Sequence, residues 1–129
     1  MILMITMMTK VLVVEDTPLN LELVLEILDE QGFTADRAED GEEAIKKTEK
    51  QVYDLILMDI ALPGMDGVDA ATIIKQRPEY KKVPVVALTA FAMKGDKERL
   101  LDAGFDDYIS KPIDVPEFIR KIQKYKGAT

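Results

Sequence analysis

The sequence predicts an α/β protein built as a doubly wound, five-stranded parallel sheet with strand order 2-1-3-4-5. Three observations carry that expectation. From residue 11 to the C-terminus, short β-branched apolar runs alternate with longer segments of helical period. Three of those runs, residues 11–14, 55–58 and 83–88, are apolar almost throughout rather than at alternate positions, the pattern of strands covered on both faces. No linker, repeat or low-complexity tract breaks the series. Right-handed crossovers then favour one doubly wound sheet, in which the reversal of strand order places the ends of the first and third strands beside a ligand-binding crevice.

Each element has its own signals. The first run leads into Thr17-Pro18, a cap residue with proline at the first helical position; Leu21, Val24 and Leu28 then share one stripe of a helix that Gly32 ends. Residues 33–38 read as a weaker strand suited to a sheet edge. Asp40 and Glu43 make a capping-box pattern opening the second helix, with Glu42–Lys46 and Glu43–Lys47 pairs facing solvent. Residues 55–58 are the third strand and look the most buried. Asp66 caps a helix carrying Val68, Ala71, Ile74 and Lys75, which Pro78 ends, and Pro84 stands at the beginning of the fourth strand, where a strand tolerates it. A fourth helix over about residues 95–103, a fifth strand Asp107-Tyr-Ile-Ser110, and a last amphipathic helix complete five βα units. Asp114 and Glu117 cap that last helix, and Phe118, Ile119 and Ile122 form its apolar stripe.

A chain of 129 residues, 47% hydrophobic and 32% charged, makes one domain with a core. We expect it over residues 9–126, with 1–8 an N-terminal extension outside the fold and 127–129 a short tail. The apolar stretch from Met1 to Met8 lacks a basic n-region and falls well short of the roughly 20 residues that span a bilayer, so membrane insertion is not expected. With 17 Lys plus Arg against 24 Asp plus Glu, the net charge of −7 repels nucleic acid and anionic lipid. The absence of Cys and His excludes thiolate zinc sites, disulfides and imidazole chemistry, and is compatible with a reducing, cytoplasmic location. Any chemistry must come from carboxylates, hydroxyls and amines.

Such groups stand at the strand ends. The first strand runs into Glu15-Asp16, the third into Asp59, the fourth into Thr89 and the fifth into Lys111, so all five side chains belong to one rim of the predicted sheet. Taken singly, each has an ordinary role: a helix cap for Glu15-Asp16, a turn former for Asp59, a strand residue for Thr89, a solvated cation for Lys111. Taken together, three clustered carboxylates repel one another, and a hard divalent cation with oxygen ligands, such as Mg²⁺, would relieve that repulsion while keeping waters that a phosphate can replace.

The motifs Val13-Val-Glu-Asp16, Leu55-Ile-Leu-Met-Asp59-Ile-Ala-Leu-Pro-Gly64, Leu88-Thr-Ala90 and Ser110-Lys-Pro112, in this order and spacing, resemble a response-regulator receiver domain over roughly residues 9–126. The stretch Thr89-Ala-Phe-Ala-Met-Lys-Gly-Asp96 is similar to stand-alone receivers of the cell-cycle and phosphorelay type. The resemblance implies a flavodoxin-like (βα)5 fold and two-component signalling. It implies that Asp59 is the phosphoacceptor, that Asp16 and Asp59 bind Mg²⁺ directly, that Glu15 acts through coordinated water and that the Ala61 carbonyl completes the protein ligands. Lys111 would pair with the phosphoryl oxygens across a cis bond to Pro112. Thr89 would move to hydrogen-bond the phosphoryl group, and Tyr108 would be the aromatic switch that turns inward behind it.

On this resemblance Asp59 attacks a phosphoryl group in line and water later hydrolyses the acyl phosphate, so the chain catalyses only its own phosphorylation and dephosphorylation and is not otherwise an enzyme. Because the chain has no His, the phosphohistidine belongs to a histidine kinase or a His-containing phosphotransfer protein. The face that changes comprises the fourth helix, fifth strand and fifth helix, about residues 93–125. Only Gly127-Ala-Thr129 follows, so the expected output is contact with a protein target or onward phosphotransfer. Ala61 and Phe91, two residues past Asp59 and Thr89, cannot orient an attacking water, and slow intrinsic dephosphorylation is expected. An aspartate-nucleophile phosphatase would need a second acid at Ala61, and a flavin module a Gly-rich turn where Glu15-Asp-Thr-Pro-Leu19 stands. The remaining alternative is a module that docks a kinase or adaptor without needing phosphate.

Overall fold

The structure is a computed structural model and describes residues 9–90 and 96–126. Strands β1 (Lys10–Val14), β2 (Thr34–Ala38), β3 (Leu55–Asp59), β4 (Val85–Thr89) and β5 (Asp107–Ser110) alternate with helices α1 (Pro18–Glu30), α2 (Gly41–Lys50), α3 (Gly67–Lys75), α4 (Asp96–Asp102) and α5 (Val115–Gln123). All neighbouring strands pair in parallel, in the order β2-β1-β3-β4-β5, as expected.

Strand side chains alternate between the two faces of the sheet, and both faces are covered. Val11, Val13, Leu55, Leu57, Val86, Leu88 and Ile109 pack with Leu21, Val24 and Leu28 of α1 and Phe118 and Ile122 of α5. Leu12, Val14, Ile56, Met58, Val85 and Ala87 pack on the opposite side with Ala44 of α2, Ala70, Ala71 and Ile74 of α3 and Leu100 of α4. This double burial is why β1, β3 and β4 read as unbroken apolar runs. The edge strand β2 is mostly exposed or half-buried along its length.

Gly32, at φ +87°, ends α1 in a left-handed turn: its N–H donates to the Asp29 carbonyl and the Phe33 N–H to the Leu28 carbonyl, the Schellman pairing. Asp40 and Asp66 cap α2 and α3 through their side chains, accepting from the N–H groups of Glu43 and Asp69.

Other local expectations need correction. Thr17 and Asp114 occupy the cap positions of α1 and α5 without a side-chain cap bond. They cap through their carbonyls, which accept from Leu21 and Phe118 N–H. The capping box is shifted, since Glu43 Oε1 accepts from the N–H of Glu39 rather than that of Asp40. Of the two pairs on α2, Glu43–Lys47 closes at 3.4 Å; no Glu42–Lys46 bridge forms among the described residues. Pro78 opens a 3-10 turn (Pro78–Tyr80) after α3, and Pro84 lies just before β4. The start expected for the fourth helix at Gly95 lies outside the described residues, as do residues 1–8 and 127–129.

Candidate functional site

Four connections leave the same rim of the sheet and bring the polar strand ends together. Glu15 continues β1 by one residue, its N–H donating to the Ala38 carbonyl of β2 at 3.0 Å, which turns its side chain under the rim, where it is 0% exposed. Asp16, next in the chain, is exposed. Asp59 ends β3 and is 3% exposed; its Oδ1 accepts the Ala61 N–H at 3.0 Å, fixing the carboxylate's orientation. Thr89 ends β4 and is buried, and its carbonyl accepts the Lys111 N–H at 2.8 Å. That bond aligns the connection after β5, and the Lys111–Pro112 bond is cis, as the resemblance implies.

From there Lys111 reaches back across the rim. Its Nζ lies 2.8 Å from Asp59 Oδ2 and 2.6 Å from Glu15 Oε1. The first contact is an aligned hydrogen bond; the second is a close ion pair, for Glu15 Oε1 is buried and meets no aligned donor among the described residues. Glu15 Oε2 faces the backbone N–H groups of Asp16 and Thr17, at 3.1 and 3.5 Å. Carboxylate oxygens of Glu15, Asp16 and Asp59 lie within 4.8 Å of one another.

The charge balance of this arrangement is unfavourable. Three acids face one ammonium, and two of the acids are removed from water. Burial first, and then the neighbouring Asp59 carboxylate, push the Glu15 carboxyl up from 4.5 to about 7, with Lys111 only partly offsetting them. Burial works against the Lys111 ammonium as well, but the two carboxylates outweigh it and hold its pKa above the usual value. A dication bound by oxygen would relieve the repulsion among the acids, and the buried, unaligned Glu15 Oε1 and the close-set acids are consistent with Mg²⁺ binding.

A cavity of about 120 Å³ opens over this cluster, lined by Asp59, Ile60, Ala61, Thr89, Ala90 and Lys111. A larger groove of about 470 Å³ runs along the β2 edge past Asp29, Asp36, Arg37 and Lys47. It carries charges of both signs and no buried nucleophile, so chemistry rather than size locates the site.

Each site residue read from the sequence is therefore at the rim except Tyr108, which lies in the middle of β5, half-buried and packed against the α2–α3–α4 side of the core. Phe91 and the output-face residues 93–95 lie outside the described residues. Two contributors escaped the sequence reading. Gly67, at the start of α3, comes so close to the strand end that a Cβ there would sit 2.2 Å from the Asp59 carbonyl oxygen; its N–H donates to the Ile60 carbonyl. The Ala61 N–H is the other, and no side-chain signal marks a backbone donor.

This chemistry has close parallels. The description "Response regulator receiver domain" matches residues 11–123. The polar-differentiation response regulator DivK of Brucella ovis is 45% identical over 121 residues, covering 93% of this chain and 98% of that protein. DivK of Brucella anthropi is 44% identical over 117 residues, covering 91% and 95%. The receiver domain of the Pseudomonas aeruginosa sensor histidine kinase PA1611, which has a magnesium ion coordinated in its active-site cleft, superposes with a TM-score of 0.84 at 37% identity, covering 95% of this chain and 99% of that one. The Vibrio cholerae chemotaxis protein CheY4 gives a TM-score of 0.86 at 27% identity, covering 92% and 98%. With the fold, the acid cluster and these likenesses in agreement, the chain belongs to the response regulator receiver domain family and is a component of two-component signalling.

Proposed function

We propose that Asp59 accepts a phosphoryl group from a phosphohistidine on a histidine kinase or His-containing phosphotransfer protein, in a Mg²⁺-dependent reaction, and that the protein then passes a signal to a protein target or hands the phosphate on. The observation that carries this reading is the Lys111 ammonium bridging two buried carboxylates, 2.6 Å from Glu15 and 2.8 Å from Asp59, with Asp16 beside them.

Asp16 and Asp59 would hold the metal directly, Glu15 through water, and the Ala61 carbonyl would complete the set. When bound, Mg²⁺ supplies positive charge that offsets the acids and the phosphoryl oxygens. The chain's own groups do the rest. Ala61 N–H holds Asp59 Oδ1, leaving Oδ2 to form the new O–P bond as the P–N bond to imidazole breaks. Lys111 transfers its contact from Asp59 Oδ2 to the phosphoryl oxygens. Thr89 hydrogen-bonds the same oxygens, and Tyr108 follows it inward as the switch. Hydrolysis returns the Asp59 carboxylate and inorganic phosphate; it is expected to be slow, since Ala61 has no polar side-chain group to orient water.

We place the functional domain at residues 9–126 and the protein in the cytoplasm. No helix among the described residues is long and apolar enough to cross a membrane. Treatment with acetyl phosphate, followed by intact-protein mass spectrometry, tests the core of the reading: the wild type gains one phosphoryl group with Mg²⁺ and none with EDTA, and Asp59→Ala gains none. Phosphorylation of Asp59→Ala would move the acceptor to another residue, and kinase binding by this variant equal to wild type with full signalling would replace the reading with the phosphate-independent docking module.

A further inference from the structure

The Tyr108 ring is not held by apolar packing alone. Lys121 of α5 places its Nζ 4.4 Å from the ring centroid, and Lys97 of α4 lies 6.0 Å from it, so each flanking helix lends a cation to the same ring. Lys121 is the better fixed. Its side chain is 17% exposed, its Nζ donates to the Tyr108 carbonyl at 2.5 Å, and it stands 3.7 Å from both Asp107 and Glu117. An ammonium held by the β5 backbone and by carboxylates on β5 and α5 cannot follow the ring if the ring leaves.

We propose that Lys121 is a positioning residue for the switch, a latch that holds the Tyr108 ring in its present half-buried place and so sets how readily phosphorylation moves it; this rests on the reading of Tyr108 as the switch aromatic. An inward turn of the ring breaks the contact between the π-face and the cation while the backbone hydrogen bond stays. The latch therefore biases the ring's two-place equilibrium, and it acts without touching Glu15, Asp16, Asp59 or Lys111.

The test is tyrosine-ring NMR on the full chain, the Tyr108 signals being identified by their loss in Tyr108→Phe. Spectra are taken at rest and during titration with beryllium fluoride at saturating Mg²⁺, with ¹⁹F spectra reporting binding of the fluoride complex independently. In Lys121→Met, and in Lys121→Gln as a second uncharged replacement, the resting Tyr108 signals are displaced toward their beryllofluoride-bound position. Half-conversion then needs about threefold less ligand, the effect of one cation–π contact at a partly exposed site. Lys121→Arg keeps the wild-type position, and so does Glu117→Gln, which removes one ion pair but leaves the cation over the ring. Signals of the uncharged variants at the wild-type position, or Glu117→Gln moving as far as Lys121→Met, would overturn the latch while leaving the phosphoryl chemistry intact. Wild-type Tyr108 signals that stay still while ¹⁹F shows the ligand bound would overturn the aromatic switch, and the latch with it.

Discussion

Glu15→Gln reads the electrostatic strain of the site directly. Glu15 is fully buried, and burial together with Asp59 raises its pKa in the folded protein from 4.5 to about 7. A raised acid holds its proton more tightly when folded, so this residue favours folding most below pH 4.5. That advantage is lost progressively as pH rises from 4.5 to about 7, and the loss is complete above it. The gap between 4.5 and about 7, at about 1.4 kcal/mol per pH unit, sets an upper bound of roughly 3 kcal/mol on the destabilisation at pH 8. Glutamine keeps the shape and removes the charge, at the loss of the ion pair with Lys111. In EDTA at pH 8 the variant is therefore expected to be more stable by up to about 3 kcal/mol, or roughly 10 °C in Tm for a domain of this size. The advantage should shrink to about 1 kcal/mol at pH 5. Saturating Mg²⁺ should narrow the gap at pH 8 by stabilising the wild type more than the variant. Urea and thermal unfolding at both pH values provide the measurement. A variant no more stable than wild type at pH 8 without metal, or an advantage that does not change with pH, would refute the account of a strained carboxyl.

The same proton competes with the metal: if Glu15 must ionise, apparent Mg²⁺ affinity measured by calorimetry should fall about tenfold from pH 8 to pH 6, and a flat profile would remove Glu15 from the ligand set. Gly67→Ala should lower stability by about 1–3 kcal/mol and slow acetyl phosphate labelling of Asp59. Its Cβ would meet the backbone of Asp59 and Ile60 at 2.2 and 2.9 Å, and unchanged labelling would show that the strand end gives way freely. Tyr80→Phe should cost about 2–3 kcal/mol in urea unfolding with Mg²⁺ binding unchanged. The buried Tyr80 hydroxyl accepts the Tyr53 N–H at 3.0 Å and donates to the Gln51 carbonyl at 2.7 Å, far from the acids; a loss under about 0.5 kcal/mol would mean that both groups find other partners.

The element order and the rim were legible because both follow from short-range rules. The runs at 11–14 and 55–58 read as central strands since only double-sided burial tolerates four apolar residues in succession. Capping was read less well, because residue type marks a cap position but not which group fills it. Thr17 and Asp114 use their carbonyls, and Glu43 turns to Glu39. The 3-10 turn at Pro78 went unread because a proline that ends one helix can also open the next turn.

By itself the sequence determined the topology, the five polar strand ends and their chemical types, because hydrophobic period and residue identity are local properties of the chain. The tertiary structure alone decided how those types act. That Glu15 is buried while adjacent Asp16 is exposed, that Lys111 spans fifty-two residues to reach Asp59, that Gly67 leaves room for the Asp59 backbone, and that Lys121 stands over Tyr108 all depend on distances between elements remote in the chain. Desolvation and Coulomb energy respond to those distances and not to order along the sequence.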